Sequence, residues 1–404
     1  MTTIDMSQTE RWLLPEGIEE LLPEQARVLE DLRRALLDCY RGWGYELVMP
    51  PFVEYLESLL TGVGKDLDLQ TFKIIDPITG RMMGVRADMT PQAARIDAHQ
   101  LKREQPVRLC YLGTVLRTRP DGFGASRAPL QVGAELYGHA GVDSDLEILE
   151  LMLETAAIVG VDNVHVDLGH VGIFRGLARQ AGLSDRCEAA LFDALQRKAV
   201  PEIRELLAGE DLAGDARAML AALAELNGGD EVFGEARTAL AAAAPEVRSA
   251  LDELEHIAAR LRQREVELPL HYDLAELRGY EYQTGVVFAA FVPGHGQEVA
   301  RGGRYDEIGS IFGRARPATG FSADLKTLIE LSSRLPSYGQ VERIFAPAVD
   351  DPQLRAKLRE LRAAGRQVIC ELPGQSGGAV EMGCTWVLDQ RDGKWMVIAV
   401  GNGK

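Results

Sequence analysis

LQVGAELYG, residues 130–138, alternates without a break: Leu130, Val132, Ala134 and Leu136 fall on one side of an extended chain, and Gln131, Gly133 and Glu135 on the other. The first set suits a core. The second places an amide and a carboxylate on one face with a glycine between them, as the floor of a ligand pocket would. A solvated sheet face would alternate in the same way but would gain nothing from the glycine. A second strand-like run, 107–116, precedes it, and the two bracket the polar, glycine-containing loop RTRPDGFGASRAP.

Upstream, Pro23 stands at the first position of a predicted helix whose apolar residues Val28, Leu29, Leu32, Leu36, Cys39, Tyr40 and Trp43 recur at spacings of three and four. YELVMPPF then reads as an extended segment held to a sheet edge by Pro50 and Pro51, which cannot donate to a ladder. A hairpin is expected over 71–85 around Pro77 and Gly80, and a helix over 91–101. Downstream, 143–159 predicts an amphipathic helix capped by acids, and 164–168 a strand. From about 172 to 264 the chain is rich in Ala, Leu, Glu and Arg, which predicts a helical insertion. Strands return at 268–273 and 282–292. The last stretch, from about 341, alternates strand, helix and strand. The expectation is an α+β fold, mostly antiparallel strands flanked by helices, with a core at 1–331 and a small α/β unit at 338–404.

The bulk properties narrow the function. Across 404 residues the formal net charge is −17, which opposes polyanion binding because such affinity comes from Lys and Arg neutralising phosphates. No apolar run reaches the roughly 20 residues that cross a bilayer, and the polar start MTTIDMSQTERW holds no export signal, so a cytoplasmic chain is expected. The five cysteines Cys39, Cys110, Cys187, Cys370 and Cys384 are scattered without a CxxC pair. They read as core thiols, with no metal and no cofactor expected.

Candidate site residues lie on both sides of the opening strand. Asp88, in VRADMTPQAAR, sits between a predicted strand and helix with Thr90 behind it, and reads as a helix N-cap or as a ligand contact. Arg278 with Gly279, in LRGYEYQTG, could grip a carboxylate bidentately where the backbone can approach closely. With nearby Tyr282, two acids, an amide and an arginine suit a zwitterion. The same acids could form a general acid/base pair, but no nucleophile, metal cluster or phosphate-cradling loop accompanies them. GFGASR and RGGRYD lack the lysine and spacing of a P-loop, and the seven histidines form no HExxH or paired pattern.

These residues carry a resemblance to the class II histidyl-tRNA synthetase core from about Leu14 to Leu331. Its segments are GYELVMPPFVE as the dimer-forming first motif, VRADMTPQAAR, the second motif RLCYLGTVLRTRP with LQVGAELYG, LRGYEYQTGVVF, and RGGRYDEIGSIFGRARPATGF. The resemblance implies that Asp88, where the family has a glutamate, and Thr90, Arg117, Gln131, Glu135, Arg278, Gly279 and Tyr282 line a histidine pocket. The second of two adjacent family tyrosines is Gln283 here. The nucleotide side departs from the family. Arg117 is followed by Thr118 and Arg119 where the pattern is Arg-x-Glu, Asp324 occupies a normally small position, and Thr327 stands where the ATP-stacking arginine belongs.

Those departures, LRGYEYQTGVVFAA and the short last unit resemble the regulatory subunits of ATP phosphoribosyltransferase, synthetase paralogues of histidine biosynthesis. The resemblance implies a chain without catalysis of its own. It would pair with a separate short-form catalytic subunit in a hetero-octamer built around synthetase-like dimers, activate it and relay inhibition by L-histidine. The alternatives are an active histidyl-tRNA synthetase and a histidine-binding adaptor for another partner.

Overall fold

The strand read from 130–137 lies well inside a nine-stranded sheet. In a computed structural model that describes residues 12–61, 65–120, 122, 125–264, 268–276, 282–333 and 342–400, the strands of residues 1–334 follow in chain order. They are β1 (Glu46–Leu47), β2 (Val53–Tyr55), β3 (Phe72–Ile75), β4 (Met82–Val85), β5 (Val107–Thr114) and β6 (Leu130–Tyr137). After these come β7 (His165–His170), β8 (Asn227–Gly228), β9 (Leu270–Asp273), β10 (Val286–Phe291), β11 (Ala300–Arg304) and β12 (Ala318–Asp324). The large sheet runs β1-β5-β6-β12-β11-β10-β7-β9-β8, antiparallel except at the β1–β5 and β7–β9 pairs. Strands β2, β4 and β3 form a separate small sheet, with β3 and β4 joined around the predicted turn.

One face of the large sheet is the core. Val132, Ala134 and Leu136 are buried there with Leu32, Leu36 and Tyr40 of the helix Pro23–Gly42, and with Leu146 and Leu149 of the helix Val142–Val159. At about 25 cal/mol per Å² of apolar surface, this shared burial holds the helices on the sheet. The second helix corrects one expectation. Its N-cap is Gly141, with no side-chain cap, and Asp145 turns inward to pair with Arg304 at 2.9 Å. A buried carboxylate needs such a partner, because neither charge is solvated alone.

Between Val171 and Arg264 six helices follow one another with only β8 among them, in keeping with the predicted helical stretch. Strand β10 begins at Val286 rather than at 282. Upstream of it, Arg175 Nη1 donates to the Gln283 carbonyl at 3.1 Å and Thr284 N donates to the Arg304 carbonyl at 2.7 Å.

Residues 335–404 form a second compact unit. Its strands are β13 (Arg343–Ala346), β14 (Gln367–Cys370), β15 (Trp386–Arg391) and β16 (Lys394–Ala399), in the order β14-β13-β15-β16. The helix Pro352–Ala363 packs Leu354 and Leu361 against Ile344 and Leu388. Asp392 and Gly393 both take positive φ, which matches the right-handed twist of the β15–β16 hairpin.

Candidate functional site

The polar face of β6 holds a buried carboxylate at its centre. Glu135 is fully buried, accepts a 2.8 Å hydrogen bond from the Tyr111 hydroxyl of β5, and accepts another from the Tyr305 hydroxyl just beyond β11. Burial lifts its carboxyl to about 8, against the two hydroxyls, which favour the charged form. Tyr111 and Thr90 share a 2.9 Å hydroxyl contact, so Thr90 joins the same network.

Gln131, two positions before Gly133, is also buried. Its Oε1 accepts from the Met89 backbone N–H at 2.9 Å, and its Nε2 donates to Asp88 Oδ1 at 2.8 Å. Asp88 is not the N-cap of the helix Thr90–Arg95, a position held by Met89 without a side-chain bond. Instead, Asp88 Oδ1 accepts from the Thr90 backbone N–H at 2.8 Å, which fixes the carboxylate at the mouth of the helix. Asp88, Thr90, Gln131 and Glu135 are thereby joined through Tyr111 and one amide.

The space expected over Gly133 is taken by the protein itself. A Cβ there would lie 2.5 Å from the Tyr111 hydroxyl, because register pairs Tyr111 with Gly133. The glycine makes room for the tyrosine that holds Glu135. Gly320, paired with Glu135 on β12, does the same for the carboxylate, since a Cβ would overlap Oε2. Tyr111, Tyr305 and Gly320 were not singled out by the sequence. The signal for Tyr111 was its place opposite Gly133, available once strand register is known.

Tyr282 is 44% exposed, yet its hydroxyl is held above its usual value by burial first, with Arg301 opposing and Asp88 and Glu135 adding to the rise. Arg278 and Gly279 lie outside the described residues.

A cavity of about 450 Å³ adjoins this network, with Gln131 and Arg117 in its wall together with Arg301, Asp324, Lys326 and Thr327. Arg117 Nε reaches the Ala87 carbonyl at 3.4 Å. Asp324, the cross-strand partner of Gln131, accepts from Leu130 N at 2.9 Å, Lys326 N at 3.1 Å and the Thr327 hydroxyl at 3.0 Å. Burial raises its carboxyl, and those donors pull the other way. This wall carries a capped carboxylate and a short hydroxyl. Among the described residues no group of three His, Cys, Asp or Glu side chains could hold a metal ion, and no helix is long and apolar enough to cross a membrane.

The mixed, mainly antiparallel sheet flanked by helices defines a class II histidyl-tRNA synthetase-like fold. The histidyl-tRNA synthetase family model matches residues 17–328, and that of the ATP phosphoribosyltransferase subunit HisZ C-terminal domain matches 341–398. The chain belongs to the family of ATP phosphoribosyltransferase regulatory subunits. It is 61% identical to the regulatory subunit of Thioalkalivibrio sulfidiphilus over 97% of this chain and 99% of that one, and 58% identical to that of Alkalilimnicola ehrlichii over 97% and 98%. A solved structure described as an ATP phosphoribosyltransferase regulatory subunit/histidyl-tRNA synthetase, from Bacillus halodurans, superposes with a TM-score of 0.79 at 27% identity, covering 92% of this chain and 95% of that one. The histidyl-tRNA synthetase of Nostoc shares the fold, with a TM-score of 0.73 at 20% identity over 96% and 97%.

Proposed function

We propose that this chain binds L-histidine in the Asp88–Glu135 pocket, activates a separate short-form ATP phosphoribosyltransferase subunit, and transmits feedback inhibition to it. The partner would join ATP to phosphoribosyl pyrophosphate, giving phosphoribosyl-ATP and diphosphate. The observation that carries this reading is the convergence of Asp88, Thr90, Gln131 and Glu135 on one connected network. Two acids offer sites for an ammonium group and an imidazole, and Arg278 would meet the ligand carboxylate by resemblance. The regulatory-subunit name carried by close relatives supports the same role. A histidine signal requires that the ligand prefer one conformation of the complex, since it shifts an equilibrium only by its differential affinity.

The nucleotide wall supports a role other than tRNA charging: Asp324 and Thr327 satisfy one another there, with no guanidinium at position 327 to stack on an adenine. The proposed assembly is a hetero-octamer around dimers of this chain, in the cytoplasm. In the test, Glu135→Ala abolishes histidine binding in calorimetry and relieves histidine inhibition of the phosphoribosyltransferase rate in the reconstituted complex. Unchanged affinity and inhibition would overturn the pocket.

A further inference from the structure

The helix that opens at Thr90 changes its winding after six residues. Its first stretch, Thr90–Arg95, passes without a break into a π-helical turn, Ile96–Leu101. There the Lys102 N–H bonds the Asp97 carbonyl, five residues back, at 3.0 Å, and Lys102 takes a φ of 51°. A π-turn is rare and recurs at functional sites, and a left-handed lysine is strained because its Cβ crowds the following carbonyl. Neither is favoured by this stretch of chain alone, so a partner must hold it.

That partner is Arg316. Asp97 is 1% exposed and its two oxygens accept from Arg316 Nη1 at 3.3 and 3.4 Å. The same guanidinium donates to the Arg103 carbonyl at 2.7 Å and to the Gln105 carbonyl at 2.8 Å. One side chain thus ties the π-turn to the exposed bend 102–106, and Arg103 reaches on to Glu46 of the edge strand β1 at 3.0 Å. The pocket meets the other end of the same element, where Gln131 accepts from Met89 N and Asp88 from Thr90 N. Tyr305, which donates to Glu135, shares a buried cluster with Ala94 and Tyr137, and Ile96 and Leu101 pack against it. Burial first, then Glu135 and Asp97, disfavour ionisation of the Tyr137 hydroxyl, with Tyr305 opposing, so that hydroxyl lies within electrostatic reach of both carboxylates.

We propose that the π-turn Ile96–Leu101 is a two-state switch that carries occupancy of the pocket to the bend 102–106 and the β1 edge, with Asp97–Arg316 as its latch. This rests on the histidine pocket proposed above and names the element through which that pocket acts. In the α register the Lys102 N–H pairs with the Ala98 carbonyl, one residue nearer, and the chain beyond turns by about 100° relative to the pocket end. The left-handed strain at Lys102 favours that change, and the bonds of Arg316 oppose it. A ligand that pulls on Asp88 and Thr90 tips the balance only by its preference for one register, which is what a feedback signal requires.

The test uses the full chain, free and reconstituted with the short catalytic subunit. In hydrogen exchange of the unmodified chain, L-histidine should change the protection of amides 98–105 as well as that of 89 and 90. A change confined to the pocket overturns the switch. Lys102→Gly relieves the left-handed strain and favours the π register, whereas Asp97→Asn weakens the latch and favours the α register. The histidine concentration that half-inhibits the phosphoribosyltransferase rate should shift by about fivefold in opposite directions in the two variants, the scale on which residues between coupled sites act. Shifts in one direction, or none, overturn it. Lys102 is exposed, so Lys102→Gly decides the matter alone if Asp97→Asn folds poorly, an unchanged half-inhibiting concentration being the adverse result. If the unmodified chain binds no histidine in calorimetry, free or in the complex, the pocket reading falls and this inference with it; binding without exchange changes beyond the pocket fells the switch alone.

Discussion

Glu135 carries most of the energetic tension of the pocket, and that tension has a measurable sign. Burial raises its carboxyl from an ordinary value near 4.5 to about 8 in the folded chain. The folded state therefore binds a proton more tightly than the unfolded one. The stability this contributes is fully present below about pH 4.5 and is lost as pH rises through 8. Every tenfold difference in proton affinity between the two states is worth about 1.4 kcal/mol, so the loss across pH 5–8 is on the order of a few kcal/mol. Glu135→Gln keeps the shape and removes the titration. In ligand-free urea denaturation its stability should fall less steeply with pH than that of the parent chain, the gap widening from pH 5 to 8. Asp97, Asp145 and Asp324, also raised by burial, titrate in both chains and cancel in the difference. Parallel pH profiles would show that Tyr111 and Tyr305 already hold Glu135 charged.

At the scale of elements, the junction between β12 and the six-residue helix Leu325–Glu330 is held by a single side chain. Asp324 ends the strand, caps the helix through Lys326 N, and bonds Leu130 N at the start of β6. Asp324→Ala removes the cap and leaves a backbone donor of the pocket strand unpaired. A cap and an orphaned donor are each worth about 1 kcal/mol, so a loss of about 2 kcal/mol is expected in denaturant titration. A change below about 0.5 kcal/mol would mean that water replaces all three bonds. Elements governed by periodicity were the legible ones: β6 runs over Leu130–Tyr137 as its alternation predicts, and the helix Pro23–Gly42 buries Leu32, Leu36 and Tyr40 from its apolar stripe. What escaped depends on which strands become neighbours. Gly133 signalled space, but only the β5–β6 register shows that the Tyr111 hydroxyl fills it. The helix expected to be capped by acids starts at Val142, so Gly141 is its N-cap and Asp143 and Asp145 fall inside its first turn, where Asp145 pairs with Arg304, a residue 159 positions away.

At the scale of the whole molecule, two opposed properties meet on the first motif. Among the described residues strand β1 is an edge, paired on one side only with β5, and Met49 just beyond it is 75% exposed between partly exposed Leu47 and Phe52. The β3–β4 hairpin adds exposed Ile75, Ile78 and Met82, with Ile75 and Met82 directly paired. Apolar edges of this kind are covered in stable soluble proteins, and a second copy of the chain is the cover proposed above. The net charge of −17 works against that pairing, because two copies repel each other over a range of about 8 Å at physiological salt. The balance predicts a dimer that tightens as salt is raised, the reverse of an association held by ion pairs. Met49→Asp places a charge in the middle of the apolar edge without touching the buried core, and in sedimentation velocity it should shift the chain to monomer across 0.05–0.5 M salt, a range of roughly 14 to 4 Å in screening length. A Met49→Asp chain that sediments as the parent does, or a parent dimer that loosens with salt, would assign self-association to another surface.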